Sequence, residues 1–160
     1  MHFLPVNINI ENRRILIIGG GRVGLHKAQI LARYTDSATV ISPAFRDGFD
    51  ALPFTLVRKE YVPQDLDGAF MVYICTENSE LNRQIKQDAR QRGVLASVCD
   101  CPELCDFTSP AIFRKNNMTV AVASDAKDVR RSMKIRDAIA ENFDFIEEKV
   151  SAPHSIYNKH

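Results

Sequence analysis

The rhythm of apolar and polar positions changes several times along this chain. VNINI, residues 6–10, alternates apolar with polar, the period of a half-buried strand. RRILIIGG, residues 13–20, runs apolar into glycine, the pattern of a strand covered on both faces. From there apolar residues fall at Val23, Ala28, Leu31 and Ala32, on one side and with no proline between them, which predicts a helix over 22–34. SATVISP (37–43), FTLVRK (54–59) and AFMVYICT (69–76) read as further strands, and Pro63 and Gly68 mark a loop or single helical turn before the last of them. Asn78 or Ser79 can cap a helix over 80–93 that Gly93 stops, and VLASVCD (94–100) is one more buried strand.

Alternating strands and helices joined by short connections give a parallel sheet, so the expected fold class is α/β, a Rossmann-type sheet over residues 1–110. After about residue 110 the rhythm changes. AIFRKNNMTVAVAS (111–124) predicts a hairpin turning at Asn116 and Asn117, and residues 127–150 predict one long amphipathic helix. A hairpin and a helix bury too little surface alone, so residues 111–150 are expected to be a dimerisation segment packed on a second copy. The polar tail, 151–160, is expected to be mobile.

Composition is that of an ordinary globular domain, with 45% hydrophobic and 26% charged residues. With 21 basic against 20 acidic residues the net charge of +1 provides no general field for nucleic acid or an anionic membrane. No apolar run approaches the roughly 20 residues that span a bilayer, and the amino terminus lacks the build of a signal peptide. The expectation is a cytoplasmic protein with neither nucleic acid nor membrane as partner.

Chemistry concentrates at two places. Gly19, Gly21 and Gly24 have the G-x-G-x-x-G spacing, directly after a strand and directly before a helix. Such a turn lets backbone approach a pyrophosphate and offers it the N–H groups of the helix start, here Arg22 and Val23, so a dinucleotide is expected there, NAD or NADP being open from the turn itself. The acidic residue that usually ends the second strand and takes the ribose hydroxyls is absent. That strand ends in Ser42, Pro43 and Ala44, which are expected to meet the ribose or adenine, and Arg46 just beyond is placed to receive a 2′-phosphate. Thr76 ends a strand beside the same cleft.

The second place is CDCPELC, with Cys99, Cys101 and Cys105. Structural zinc usually shows two paired knuckles, whereas Cys75 stands alone in the sequence, so no structural metal is expected and the thiols read as small buried or loop residues. Asp100, inside this stretch, sits at the carboxyl end of a predicted parallel strand, where open α/β sheets place their ligands; an Asx turn is its bland alternative. Asp106 is a weaker candidate with a turn role. His26 reads as a surface residue of the first helix, and His154 and His160, in the tail, are poor metal ligands.

In order along the chain, FLPVNINIENRRILIIGGGRVGLHKAQIL, VISPAF, DLDGAFMVYICTENSELNRQI, VLASVCDCPELCDFTSPAIF and MTVAVAS resemble the precorrin-2 dehydrogenase/ferrochelatase family, the amino-terminal module of siroheme synthases. The likeness covers roughly residues 3–124. Its most specific pieces are the LPV leader, the triple glycine with Val23 and Lys27, the T-x5-N of Thr76 and Asn82, and the run from Asp100 to Phe107. The resemblance implies NAD-dependent oxidation of precorrin-2 to sirohydrochlorin, in some members insertion of Fe(II) as a second substrate, and a homodimer. It makes Asp100 the catalytic carboxylate, taking a proton as a hydride leaves for NAD. A substrate rich in carboxylates calls for basic residues. Arg130, Arg131, Lys134 and Arg136 cluster on the long helix, and Ser124, Arg130 and Lys134 are the expected substrate contacts, against the alternative of a solvated face neutralised by Asp125, Asp128 and Asp137.

Two departures stand out. Gly24 occupies a position where the family usually has alanine, a change expected to be neutral, and the glycine-rich loop that usually follows the VAVS strand is here VASDAKDVRRSMK. Two readings from other classes compete. An NAD-binding regulatory module without turnover usually keeps the acidic ribose ligand that is missing here, and a metal carrier would need its three clustered cysteines.

Overall fold

The computed structural model describes residues 2–99 and 101–151. Asp100 and the tail from residue 152, with His154 and His160, lie outside the described residues. The chain forms two compact units, one from Phe3 to Thr108 and one from Ser109 onward.

In the first unit five parallel strands, β1 (Ile15–Ile18), β2 (Ala38–Ser42), β3 (Thr55–Arg58), β4 (Met71–Ile74) and β5 (Leu95–Val98), lie in the order β3-β2-β1-β4-β5. The expected Rossmann-type sheet is therefore the observed one. The central strand shows why it reads as uninterrupted apolar sequence. Ile15 and Ile17 pack in a core with Ala28 and Leu31 of α1 (Arg22–Leu31), while Leu16 and Ile18 pack in another with Ile85 and Ala89 of α2 (Ser79–Gln91). Both faces of the sheet are thus filled. The order of strands turns back between β1 and β4, and at the carboxyl edge of such a reversal the connections diverge and leave a crevice.

Local chemistry sets the helix ends. Asn78 caps α2, its side chain accepting the N–H groups of Glu80 (3.0 Å) and Leu81 (3.1 Å), and Gly93 ends it at φ 67°. One expected strand is absent: VNINI has no ladder partner, and Leu4 and Val6 are exposed at 82% and 62%. Alternation specifies a strand only where a neighbouring edge is open to it.

The second unit is a hairpin, β6 (Ala111–Lys115) with β7 (Met118–Val122), followed by α3 (Val129–Glu141) and α4 (Phe143–Ser151). Asn116 supplies the positive φ of the hairpin turn, at 54°. The long helix expected over 127–150 is broken at Asn142. That residue leaves helical geometry at φ −104° and ψ 8°, and its side-chain amide donates to the Ala138 carbonyl at 2.8 Å, a local bond that competes with helix propagation. Phe143 next to the break is buried, with its ring 5.1 Å from that of Phe113 on the hairpin.

The loop before α3 holds Asp125 and Ala126 at φ 51° and 60°, in the left-handed region. Asparagine, aspartate and glycine visit that region at modest cost, whereas alanine is disfavoured there. Ala126→Gly is therefore expected to stabilise the protein by about 0.5–1 kcal/mol, read as a higher urea midpoint at unchanged slope. A lower midpoint would show that the loop is not strained at this position.

Candidate functional site

The crevice opens where β1 passes into α1. Gly19 has φ 117°, and a Cβ placed on it would lie 2.5 Å from the Cys75 carbonyl oxygen, so only glycine lets the turn pass against the end of β4. A Cβ on Gly24 would collide with the Gly19 carbonyl oxygen, which locks α1 close against the turn. In this chain an alanine at 24 would require the turn to shift, in contrast to the neutral exchange expected from the sequence. Gly21 differs from both. It precedes α1 in extended geometry, and the nearest atom to an added Cβ is the Glu77 carboxylate, 3.9 Å away. No side chain caps α1 and no acid stands in its first turn, so the N–H groups at Arg22 and Val23 face the crevice with the positive end of the helix dipole. An uncapped helix start beside an open glycine is the cradle that a pyrophosphate fits.

Two lobes extend from this cradle. One, a cavity of about 690 Å³, runs past the end of β2 and is lined by Ser42, Pro43, Ala44, Phe45, Arg46 and Tyr61. Along this lobe Ser42 is buried and Pro43 and Ala44 are exposed. Phe45 is fixed by the Phe49 ring at 5.3 Å on one side and the Arg58 guanidinium at 5.1 Å on another. The Tyr61 hydroxyl donates to buried Asp88 at 2.9 Å, and burial followed by that carboxylate pushes the phenol well above its ordinary range. Glu60 lines the same lobe, one residue before Tyr61. Sequence reasoning missed it because it looked for an acid at the end of β2, whereas Glu60 follows the neighbouring strand β3.

The other lobe, about 440 Å³, lies between the ends of β4 and β5 and is lined by Thr76, Asn82, Arg83, Val98, Cys99 and Cys101, among others. Here the T-x5-N spacing acquires a cause. The Thr76 hydroxyl donates to Asn82 Oδ1 at 2.5 Å, and the Asn82 amide returns a bond to the Thr76 carbonyl at 2.9 Å. This closed pair ties the strand end to the first turn of α2 and holds Thr76 at the wall. Asn82 is buried, so Asn82→Ala removes the amide from the Thr76 carbonyl, leaves the Thr76 hydroxyl only its bonds to the Asn78 backbone, and is expected to destabilise the chain by about 2 kcal/mol in chemical denaturation. A loss below half of that would mean that water replaces the amide.

The carboxylates separate in role. Asp106 Oδ2 accepts the Ala96 N–H at 2.9 Å and pairs with Lys86 at 2.5 Å, so it staples the loop after β5 back onto that strand. Asp100 is outside the described residues, but Cys99 and Cys101 on either side of it both line the lobe. The thiols differ from expectation in one respect. Cys75, isolated in sequence, has its sulfur 2.8 Å from that of Cys99. Cys105 accepts the Val98 N–H at 3.2 Å, and burial raises its thiol above the usual value. His26 is exposed on α1 as expected, its pKa lowered by partial burial and by Lys27 and Arg33.

The expected substrate contacts belong to the second unit. The Ser124 hydroxyl accepts from the Asp128 N–H and from the Ser132 hydroxyl, each at 3.0 Å, so it braces the loop to α3. Arg136 bonds Asp137 at 2.6 Å and the Ile112 carbonyl at 3.0 Å, which favours the bland reading for that residue, while Arg130 and Lys134 are exposed.

A family model described as "Putative NAD(P)-binding" matches residues 6–111, more than half of the chain. The chain belongs to that family. The likeness to the siroheme-synthase module read from the sequence is also borne out. A siroheme synthase of Azotobacter vinelandii is 35% identical over 147 residues, 85% of this chain and 31% of that protein, and one of Pseudomonas fluorescens is 34% identical over 128 residues, 78% and 28% respectively. The chain thus spans about a third of the length of these curated relatives. Among solved structures, SirC, a precorrin-2 dehydrogenase, superposes with a TM-score of 0.75 over 88% of this chain and 71% of its own, at 17% identity, which establishes a shared fold. The cofactor class of this NAD(P)-binding chain is accordingly a nicotinamide dinucleotide. No helix among the described residues is long and apolar enough to cross a membrane.

Proposed function

We propose that this chain oxidises precorrin-2 to sirohydrochlorin with NAD, as a step of siroheme synthesis in the cytoplasm. The observation that carries the reading is the uncapped, glycine-lined start of α1 opening on two lobes, in a chain whose relatives bear the name siroheme synthase. Gly21, Arg22 and Val23 would hold the pyrophosphate, with Gly19 and Gly24 shaping the turn. Ser42, Pro43 and Ala44 would hold the adenosine end, and Glu60, which lines the same lobe, would take the ribose hydroxyls in the manner of NAD enzymes. Thr76 would border the nicotinamide end.

When bound, NAD supplies the two-electron acceptor for the substrate. The chain's own work is positional and acid–base. The cradle fixes the cofactor's phosphates, the Thr76–Asn82 clamp holds the wall of the second lobe, and Asp100 would take the proton released as the macrocycle is oxidised. Ser124, Arg130 and Lys134 remain our candidates for substrate contacts. Insertion of Fe(II), as a further substrate, would use the same carboxylate to receive protons displaced from the pyrrole nitrogens. The test is anaerobic absorbance with precorrin-2 and NAD, in which NADH and sirohydrochlorin are expected to appear together. NAD binding without turnover would replace this reading with that of a regulatory module.

We also propose a homodimer through the second unit. Val129, Met133, Phe145 and Val150 of α3 and α4 are exposed at 46–72%, an apolar surface that a lone hairpin and two helices leave uncovered. Phe145→Asp is expected to convert the dimer to monomer in sedimentation at micromolar concentration. A wild type that sediments as a monomer would remove the proposal.

A further inference from the structure

The parallel register that pairs Ile74 with Val98 places the next residues, Cys75 and Cys99, side by side on adjacent strand ends. Their backbones are held there: Cys75 donates its N–H to Ile18 at 2.7 Å and Cys99 to Ile74 at 2.9 Å. Their sulfurs are 2.8 Å apart, and both residues line the 440 Å³ lobe. Neighbouring strands run about 4.8 Å apart, inside the Cα separation that a disulfide accepts, so the bond can close without backbone rearrangement. The same spacing is too short for two thiolates on one zinc ion, whose tetrahedral geometry sets them roughly 3.8 Å apart. The two residues are unequally reachable, since Cys75 is 6% exposed and Cys99 is half-buried.

We propose that Cys75 and Cys99 are a redox-active dithiol at the floor of this lobe, a site of thiol–disulfide exchange that takes a small disulfide such as glutathione disulfide as its reactant. The Cys99 thiolate attacks one sulfur of glutathione disulfide, forming a mixed disulfide and releasing one glutathione thiolate. The Cys75 thiolate then attacks Cys99 Sγ, closing the internal bond and releasing the second glutathione. Two electrons pass from the pair to the oxidant, and the two protons lost by the cysteines end on the two glutathiones.

The experiment uses the full chain, reduced, freed of reductant and exposed to glutathione disulfide without denaturant, followed by intact mass and peptide mapping under acid quench. The expected product is an internal link between the peptides that carry Cys75 and Cys99, reversed by dithiothreitol. Cys75→Ser is expected to stop at a stable mixed disulfide on Cys99, and Cys99→Ser to leave buried Cys75 unmodified. A link confined to Cys101 and Cys105, or one that forms only in denaturant, overturns the proposal.

A parallel sample saturated with NAD is expected to react several-fold more slowly, because the nicotinamide end would cover the sulfurs. This expectation alone rests on the proposed cofactor placement. If calorimetry shows NAD bound and the rate is unchanged, that placement fails while the mapped link still establishes the dithiol; if no NAD binds, the dinucleotide reading fails by itself.

Discussion

Gly21→Asp is expected to leave the protein folded and to weaken NAD binding by about 100-fold or more, close to 3 kcal/mol. The two halves of this outcome have separate causes. Gly21 sits at φ −80° and ψ −167°, extended backbone that any residue adopts, and an added Cβ meets nothing closer than 3.9 Å. Aspartate is moreover a favoured cap, and α1 has no capping side chain, so the new carboxylate can accept the first-turn N–H groups. Those are the groups that a pyrophosphate requires, and the added charge repels it as well. Calorimetric titration with NAD and a melting curve decide the matter together. A variant with unchanged melting and unchanged affinity would place the dinucleotide elsewhere, and one that fails to fold would show that the turn tolerates no side chain even at its open glycine. Gly19→Ala provides the contrast: it forces a side chain into the left-handed region against the Cys75 carbonyl and is expected to damage the fold itself.

The middle of the sheet was legible because its central strands are covered on both faces, so that short apolar runs such as ILII and MVYI, bounded by turn signals, read as buried strands. The glycine turn was legible for a similar reason: spacing, strand and helix agree on one local geometry. What failed were inferences that depend on more than periodicity, on distant neighbours or on a single side chain. VNINI has the period of a strand, but pairing requires a free edge, and the order of the sheet is not written in five residues. The continuous helix over 127–150 ignored Asn142, whose side chain offers its amide to the backbone of the preceding turn, and ignored the value of burying Phe143 on the hairpin. Cys75 looked solitary because its partner is 24 residues away, and only the register of β4 on β5 brings them together. Glu60 was overlooked because an acid search along β2 cannot see a residue delivered by β3. Among the proposed site residues, those whose role comes from backbone geometry were therefore easier to find than those whose role comes from two strands meeting.

Asp100→Asn is expected to lower kcat by roughly 100- to 10,000-fold while leaving the affinity for NAD unchanged. Asparagine preserves size and most hydrogen bonding but cannot take a proton, so the substitution isolates the acid–base role from any turn role. Residues on both sides, Cys99 and Cys101, line the lobe that borders the proposed nicotinamide end, whereas the second aspartate of this stretch, Asp106, is engaged with Lys86 and the Ala96 N–H. The proton released in the proposed oxidation would need an acceptor there, and Asp106 is committed to holding the loop. The pair of variants is therefore diagnostic: Asp106→Asn should chiefly lower the melting temperature, and Asp100→Asn should chiefly lower turnover. Solvent rescue sharpens the assignment, because a small carboxylate such as formate can restore part of the lost rate only where a base was removed. If Asp100→Asn turns over at the wild-type rate, the proton leaves to water, and the role of this stretch reduces to shaping the lobe.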